Sequence, residues 1–460
     1  MRILQITAGA GGMYCGSCLM DNALATELLA RGEDVILLPV YTPTRTDETN
    51  VSDRHVFFGG ISVYLEQNLP LFRKTPAFLD RLWDAVPVLR AATGRGIAVD
   101  PQALGDLTVS TLRGEEGNQA KEFRKLLGYL RHLPPFDLAV IPNALLISLA
   151  PALRRELKRP VVCTLQGEDL FLEGLRERHR SEAKDLVRRH AAAVDAFVAT
   201  SDYYAEFMAS YLALDRGKIH TLPIGISLDG HAVAEREEEG PFTIGYLARV
   251  APEKGLHLLA EAYRILRQER GFPGARLEAA GYLAPEHRHY LREIEGRLRA
   301  WGLEGEFRYH GTLDRKAKIA FLQHLDALSV PSPYAEPKGL YVLEALANGV
   351  PCVQPRHGAF PEVLARTDGG VLFEPNDPAN LAERLAGLGA NRDAARALGR
   401  RGAEGVHQHH SIAQMATRAL EIYEGVRSRT LHARPQKRTI QGSDAASDPT
   451  PCSERWDAEG

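Results

Sequence analysis

The sequence has few cysteines, no long uninterrupted apolar run and almost no net charge, and each shortage removes a class of protein. Five cysteines in 460 residues form an odd, scattered set, which fits reduced thiols rather than a disulfide framework. The longest apolar stretch, Leu138 to Leu153, is broken by Pro142, Asn143, Ser148 and Pro151 and falls short of the ~20 residues a spanning helix needs. The amino-terminal MRILQITAGAGG runs into glycines without the longer apolar region and cleavage site of a secretory leader. A cytoplasmic protein is expected. A formal charge of -3 gives no electrostatic reason to bind a polyanion, so nucleic acid is not an expected partner. No solenoid-length repeat is visible.

What is present is length and alternation. A chain of 460 residues exceeds what one core usually supports, so two domains are expected, with a cleft between them. Short β-rich runs alternate with helical patterns: Arg2 to Thr7, Val35 to Tyr41, Ile61 to Leu65, Leu138 to Pro142, Val161 to Leu165, Ala196 to Thr200 and Ile219 to Pro223. After the polar, acidic stretch Glu235 to Gly240 the pattern restarts with Phe242 to Val250, Arg276 to Gly281, Phe307 to Gly311, Ala327 to Pro331, Pro351 to Gln354 and Gly370 to Phe373. Such alternation predicts α/β architecture, two doubly wound Rossmann-like domains over 1–235 and 236–428. The polar segment 429–460 is predicted to stay disordered.

Ligands of open parallel sheets bind beyond the carboxyl ends of the strands, so the loops there carry the chemistry. In SPYAEPKGLYVLEALANGVP the apolar residues Leu340, Leu343, Leu346 and Ala347 recur at helical spacing after Gly339, predicting a helix that starts there. Its free backbone N–H groups suit a phosphate or sugar oxygen, and glycine permits close approach. Glu336 before the helix and Glu344 within it can accept hydrogen bonds from the hydroxyls of a hexose and a pentose. In IGYLARVAPEKGLHLL, Arg249 and Lys254 bracket a strand-to-helix turn, an arrangement that neutralises a diphosphate and the charge it gains as a leaving group. With neither DxD nor a metal-ligand cluster nearby, these cations would take the place of a metal ion. No metal and no other cofactor is expected.

GYLARVAPEKGL followed by EPKGLYVLEALANGVP resembles the retaining glycosyltransferases of family 4, and the likeness extends over most of residues 1 to 428. The resemblance implies the GT-B fold, with the two lobes facing across a cleft, and transfer of a hexosyl group from a UDP- or GDP-linked sugar. It implies that Arg249 and Lys254 bind the donor diphosphate, that Glu336, Gly339 and Leu340 hold the hexose, and that Glu344 binds ribose. Arg249, Lys254 and Glu336 would act in catalysis. It further implies a front-face reaction in which the leaving phosphate takes the acceptor's proton. Rival readings are a sugar-nucleotide epimerase on a similar scaffold, and a catalytically silent sugar-nucleotide sensor.

In the amino half, Gly11 and Gly12 in AGAGGMYCGSC form a glycine loop leading into a helix. The resemblance places Gly12 at the donor and Gly11 on the acceptor side. CTLQGEDLF puts Gln166 and Asp169 at a strand end on the acceptor side. Related transferases often have a histidine near the position of Gln166, and helix capping by Glu168 and Asp169 is an alternative. Cys15 and Cys18 form a C-x-x-C at a helix start, read as packing along the cleft loop rather than a redox or metal pair. His407, His409 and His410 are read as a polar face. Phe78, Leu79, Leu82, Trp83 and Val86 share a helical face near Arg73, Lys74, Arg81 and Arg90, suited to an acceptor groove or to peripheral membrane contact. Sugars, glycans, lipids and small molecules are the acceptor classes this reading admits.

Overall fold

The computed structural model describes residues 1–9, 15–58, 67, 101–234, 240–272 and 274–432. The expected strand Ile61 to Leu65, Gly11, Gly12, the stripe Phe78 to Val86 with its neighbouring cations, and everything beyond 432 lie outside the described residues.

Two six-stranded sheets form, one in each half. The first contains β1 (Arg2–Thr7), β2 (Asp34–Pro39), β3 (Leu138–Ile141), β4 (Val161–Leu165), β5 (Ala196–Ala199) and β6 (Ile219–Thr221), in the order β2-β1-β3-β4-β5-β6. The second contains β7 (Phe242–Leu247), β8 (Ala275–Ala280), β9 (Phe307–Tyr309), β10 (Ala327–Leu328), β11 (Cys352–Pro355) and β12 (Gly370–Phe373), in the order β12-β11-β10-β7-β8-β9. Every pairing is parallel. Helices cover both faces, which is why the central strands read as continuous apolar runs: LAVI of β3 and FTIGYL of β7 are buried throughout.

The order of strands reverses between β1 and β3 in one sheet and between β7 and β10 in the other. A crevice opens beyond the carboxyl ends at each such point, because the flanking connections leave on opposite faces. The turn after β7 and the loop after β10 carry Arg249, Lys254 and Glu336. The predicted donor residues therefore fall at the switch point of the second sheet.

The final helix, Ile412–His432, returns to the first half. Met415, Ala416, Ala419, Ile422, Tyr423 and Val426 join one apolar cluster with Met20, Leu24 and Leu28 of the helix Gly16–Ala30. Arg31 secures this contact by donating to Thr417 Oγ1 at 2.8 Å and to the Ala413 carbonyl at 2.6 Å. The helix runs four residues past the limit read from sequence, continuing from the turn anchored by the buried Ile422, Tyr423 and Val426.

Candidate active site

The turn after β7 is built to hold a cation still. Tyr246 Oη donates to the Arg249 carbonyl at 2.9 Å, and a short 3-10 turn, Pro252–Lys254, precedes the helix Leu256–Arg264. Gly255 joins them at φ 75°, a left-handed conformation that glycine adopts without strain. A Cβ there would sit 2.0 Å from the Pro331 carbonyl oxygen, so the turn presses directly on the loop after β10. Ser332 Oγ bonds the Glu253 carbonyl at 2.8 Å and clamps the two segments together.

Across that clamp, Lys254 Nζ lies 2.6 Å from both Glu336 oxygens, and Tyr341 Oη donates to Glu336 Oε2 at 3.0 Å. The pair is largely withdrawn from water, with side chains 15% and 10% exposed. Arg249 is more open, at 39%, and its guanidinium donates to Glu253 Oε1 at 2.6 Å. Gly339 caps the helix Leu340–Ala347 at φ 77°, with no side chain on the helix's first N–H groups. Leu340 points to the other lobe: a methyl group at Gly16 would meet its Cδ1 at 3.1 Å.

Glu344 is more tightly engaged than a lone ribose ligand. Lys318 Nζ bonds its Oε1 at 2.5 Å and Asp47 Oδ2, from the loop after β2, at 2.7 Å. Burial works against the Lys318 ammonium, but the attraction of Glu344 and Asp47 outweighs it and holds its pKa above the ordinary lysine value. Arg315 Nη1 repeats the link between halves, bonding Glu48 Oε1 at 2.7 Å.

On the facing side, Gln166 is buried and its Nε2 donates to the Pro142 carbonyl at 2.6 Å. Glu168 and Asp169 open the helix Glu168–Glu173, yet neither caps it. Glu168 instead accepts from the backbone N–H groups of Ala144 and Gln166 at 2.9 and 2.7 Å, and burial raises its pKa. Asp169 Oδ1 accepts from Tyr204 Oη at 2.6 Å, and Tyr334 Oη reaches its two oxygens from the other lobe at 2.9 Å each.

The structure thus brings Arg249, Lys254, Glu336, Gly339, Leu340 and Glu344 into one region facing Gln166 and Asp169. Sequence reasoning missed Tyr334, Tyr341 and Lys338, although all three lie in or beside the quoted motif. Lys318 carried no signal, since only the fold brings it to Glu344. Cys15 precedes the helix Gly16–Ala30, and the Cys15 thiol is held down to about 5, chiefly by hydrogen bonding with Cys18. His407 and His409 are exposed as expected, but His410 is buried, its Nδ1 2.9 Å from the Ile224 carbonyl. It closes the helix Arg392–His409 against the segment that follows β6 instead of extending a polar face. Among the described residues, no group of three or more His, Cys, Asp or Glu could hold a metal ion, and no helix is long and apolar enough to cross a membrane.

Two doubly wound sheets, with cations and carboxylates gathered at the second switch point and the first sheet facing them, define a protein of GT-B architecture. The profile of glycosyl transferases group 1 matches residues 231–405, and that of Glycosyltransferase Family 4 matches 107–229. Glycogen synthase of Mycobacterium tuberculosis is 30% identical over 41% of this chain and 44% of its own length. A D-inositol 3-phosphate glycosyltransferase of Xylanimonas cellulosilytica is 28% identical over 50% of this chain and 57% of its own. The chain spans about half the length of these curated relatives. Sucrose-phosphate synthase from Thermosynechococcus elongatus superposes with a TM-score of 0.65 at 18% identity, covering 93% of this chain and 99% of that one. Anabaena HepE, solved with UDP and glucose, gives 0.65 at 15%, covering 92% and 100%. These two structures share the fold. The chain belongs to the GT-B-fold glycosyltransferases, related to family 4 and to the group 1 glycosyltransferases.

Proposed function

We propose that this protein transfers a hexosyl group from a UDP- or GDP-linked sugar to a hydroxyl acceptor with retention at the anomeric carbon, in the cytoplasm and without a metal ion. The observation that carries this reading is the joining of Lys254 to Glu336 at the β7/β10 switch point, with Arg249 in the same turn. Arg249 and Lys254 neutralise the diphosphate and the charge it gains as the bond to the sugar breaks. Glu336, Gly339 and Leu340 hold the hexose, and Glu344 the ribose. The lobe 236–428 takes the donor, and the lobe 1–235 presents the acceptor beside Gln166 and Asp169.

In this reading the acceptor oxygen attacks the anomeric carbon on the face the diphosphate leaves. The departing phosphate oxygen takes the acceptor's proton, so no separate general base is required. The solved complex of HepE with UDP and glucose supports a sugar-nucleotide donor on this fold.

The test is to incubate EDTA-treated protein with UDP-glucose or GDP-mannose and a panel of hydroxyl acceptors, and to read the product by proton NMR. An α-linked product from an α-linked donor is expected. An inverted product, or turnover that requires added metal, contradicts the proposal. Epimerised sugar formed without acceptor points to the epimerase reading.

A further inference from the structure

Lys338 stands two residues after Glu336 and next to Gly339, on a loop whose backbone is tied to the opposite lobe. The Pro337 carbonyl accepts from Thr200 Oγ1 at 2.9 Å and from Ser201 Oγ at 3.2 Å. From that fixed point the Lys338 side chain crosses the cleft. Its Nζ bonds Ser17 Oγ at 2.5 Å and Gln166 Oε1 at 3.3 Å. Gln166 cannot turn away without cost, since its Nε2 is committed to the Pro142 carbonyl at 2.6 Å.

Among the described residues, both hydrogen-bond partners of this ammonium are neutral, which sets it apart from its neighbours. Arg249 holds Glu253, Lys254 holds Glu336, Arg315 holds Glu48, and Lys318 holds Asp47 and Glu344. Four acidic groups lie close enough to act on the charge of Lys338: Cys15, Asp21, Glu168 and Glu336. None of them bonds Nζ, and each is engaged elsewhere, the Cys15 thiol, held down to about 5, by hydrogen bonding with Cys18. Glu336 is taken by Lys254 and Tyr341, Glu168 by two backbone N–H groups, and Asp21 by Thr7 Oγ1 at 2.8 Å. Burial pushes the Lys338 pKa below the usual lysine value. A partly buried ammonium has three donors and gains from an anion in contact.

Its position says where such an anion would lie. Lys338 follows Glu336 in the same loop and reaches the acceptor-side Gln166, whereas the cations assigned to the diphosphate come from the turn after β7. We propose that Lys338 is a specificity residue that selects a substrate bearing a carboxylate or phosphate at the seam between the lobes. This rests on the donor-site reading above. The anion has two possible sources: a hexuronate on the donor, or an acidic group on the acceptor.

The experiment compares the wild type with K338Q, which removes the charge but keeps hydrogen-bonding capacity, with K338M, and with K338R, which keeps the charge. Affinities are measured by calorimetry for UDP, UDP-glucose and UDP-glucuronate. With UDP saturating, they are measured again for glucose and glucose 6-phosphate. UDP itself reports the integrity of the donor site, and an affinity within about twofold of wild type in each variant is expected. The wild type should favour the anionic member of one pair by about tenfold, the scale of one charge-assisted hydrogen bond. K338Q and K338M should erase that preference and K338R keep it. Preference within the donor pair assigns the anion to the sugar, and preference within the second pair assigns it to the acceptor. If neither pair is discriminated, or the preference survives in K338Q, the inference is overturned while UDP binding leaves the donor site standing. If the wild type binds GDP and not UDP, the same comparison is run with GDP, GDP-mannose and GDP-mannuronate; if it binds neither nucleotide, the donor reading fails and this inference falls with it.

Discussion

The Lys254 ammonium lies 2.6 Å from each oxygen of Glu336, joining the turn after β7 to the loop after β10. The cation assigned to the diphosphate and the carboxylate assigned to the hexose are thus one structural unit, and removing either is expected to affect both turnover and stability. Lys254→Ala is expected to lower kcat at least about 100-fold, the scale of one lost electrostatic contact to a leaving group. It should also cost about 3 kcal/mol of stability, because Glu336 is left buried and unpaired. The double substitution K254M/E336Q should recover much of that stability in urea melts and none of the turnover. Recovery of both would reduce the pair to a structural device.

Glu344 shares Lys318 with Asp47, so its removal leaves Lys318 one carboxylate. Glu344→Ala is expected to weaken UDP or GDP binding about tenfold by calorimetry, with the fold retained. Unchanged affinity would exclude the ribose contact.

Gly255 and Gly296 provide a paired test of the turn after β7. Gly255→Ala places a methyl group 2.0 Å from the Pro331 carbonyl oxygen at φ 75°, and a loss of at least about 2 kcal/mol is expected. Gly296, inside the helix Arg288–Ala300, has nothing within 4 Å of an added Cβ. Gly296→Ala should therefore stabilise by about 0.5–1 kcal/mol. Equal responses in denaturant melts would contradict the close approach of the two loops.

Asp21 is buried, and burial, only partly opposed by Thr7, lifts its pKa from 3.8 to about 7. Between those values the folded chain holds a proton that the unfolded chain has lost, so this residue makes stability fall as pH rises from about 4 to 7. Asp21→Asn keeps an acceptor for Thr7 and removes the titration. The variant should be more stable than wild type at pH 8, with the difference shrinking as pH falls from about 7 to 4 and level below that. A difference independent of pH would show that the carboxyl does not titrate in this window.

Much of the fold was legible because buried parallel strands are short apolar runs, and their alternation with helices needs no tertiary information. The placement of Arg249, Lys254, Glu336 and Glu344 beside one switch point was legible for a related reason: strand-to-helix turns mark strand ends, and ligands of open parallel sheets bind beyond them. The partners of these residues were hidden. Lys318 and Asp47 stand 271 residues apart, and neither belongs to a local motif. Asp169 and Tyr334 meet only because the two lobes close on each other. Lys338 was in view within EPKGL, but the direction of its side chain depends on Ser17 and Gln166 in the opposite lobe. His410 was grouped with two exposed histidines, because sequence proximity does not reveal that a helix end is buried against the segment after β6.

The central claim is that the lobe 236–428 grips a sugar nucleotide through Arg249, Lys254, Glu336 and Glu344. A thermal-shift panel of UDP- and GDP-linked hexoses tests it most directly, since a ligand of the folded state raises the apparent Tm. At least one nucleotide sugar is predicted to raise the Tm of the wild type and to leave R249A and K254A unmoved. If no nucleotide or nucleotide sugar shifts the wild type, or if both variants respond as it does, the account is contradicted.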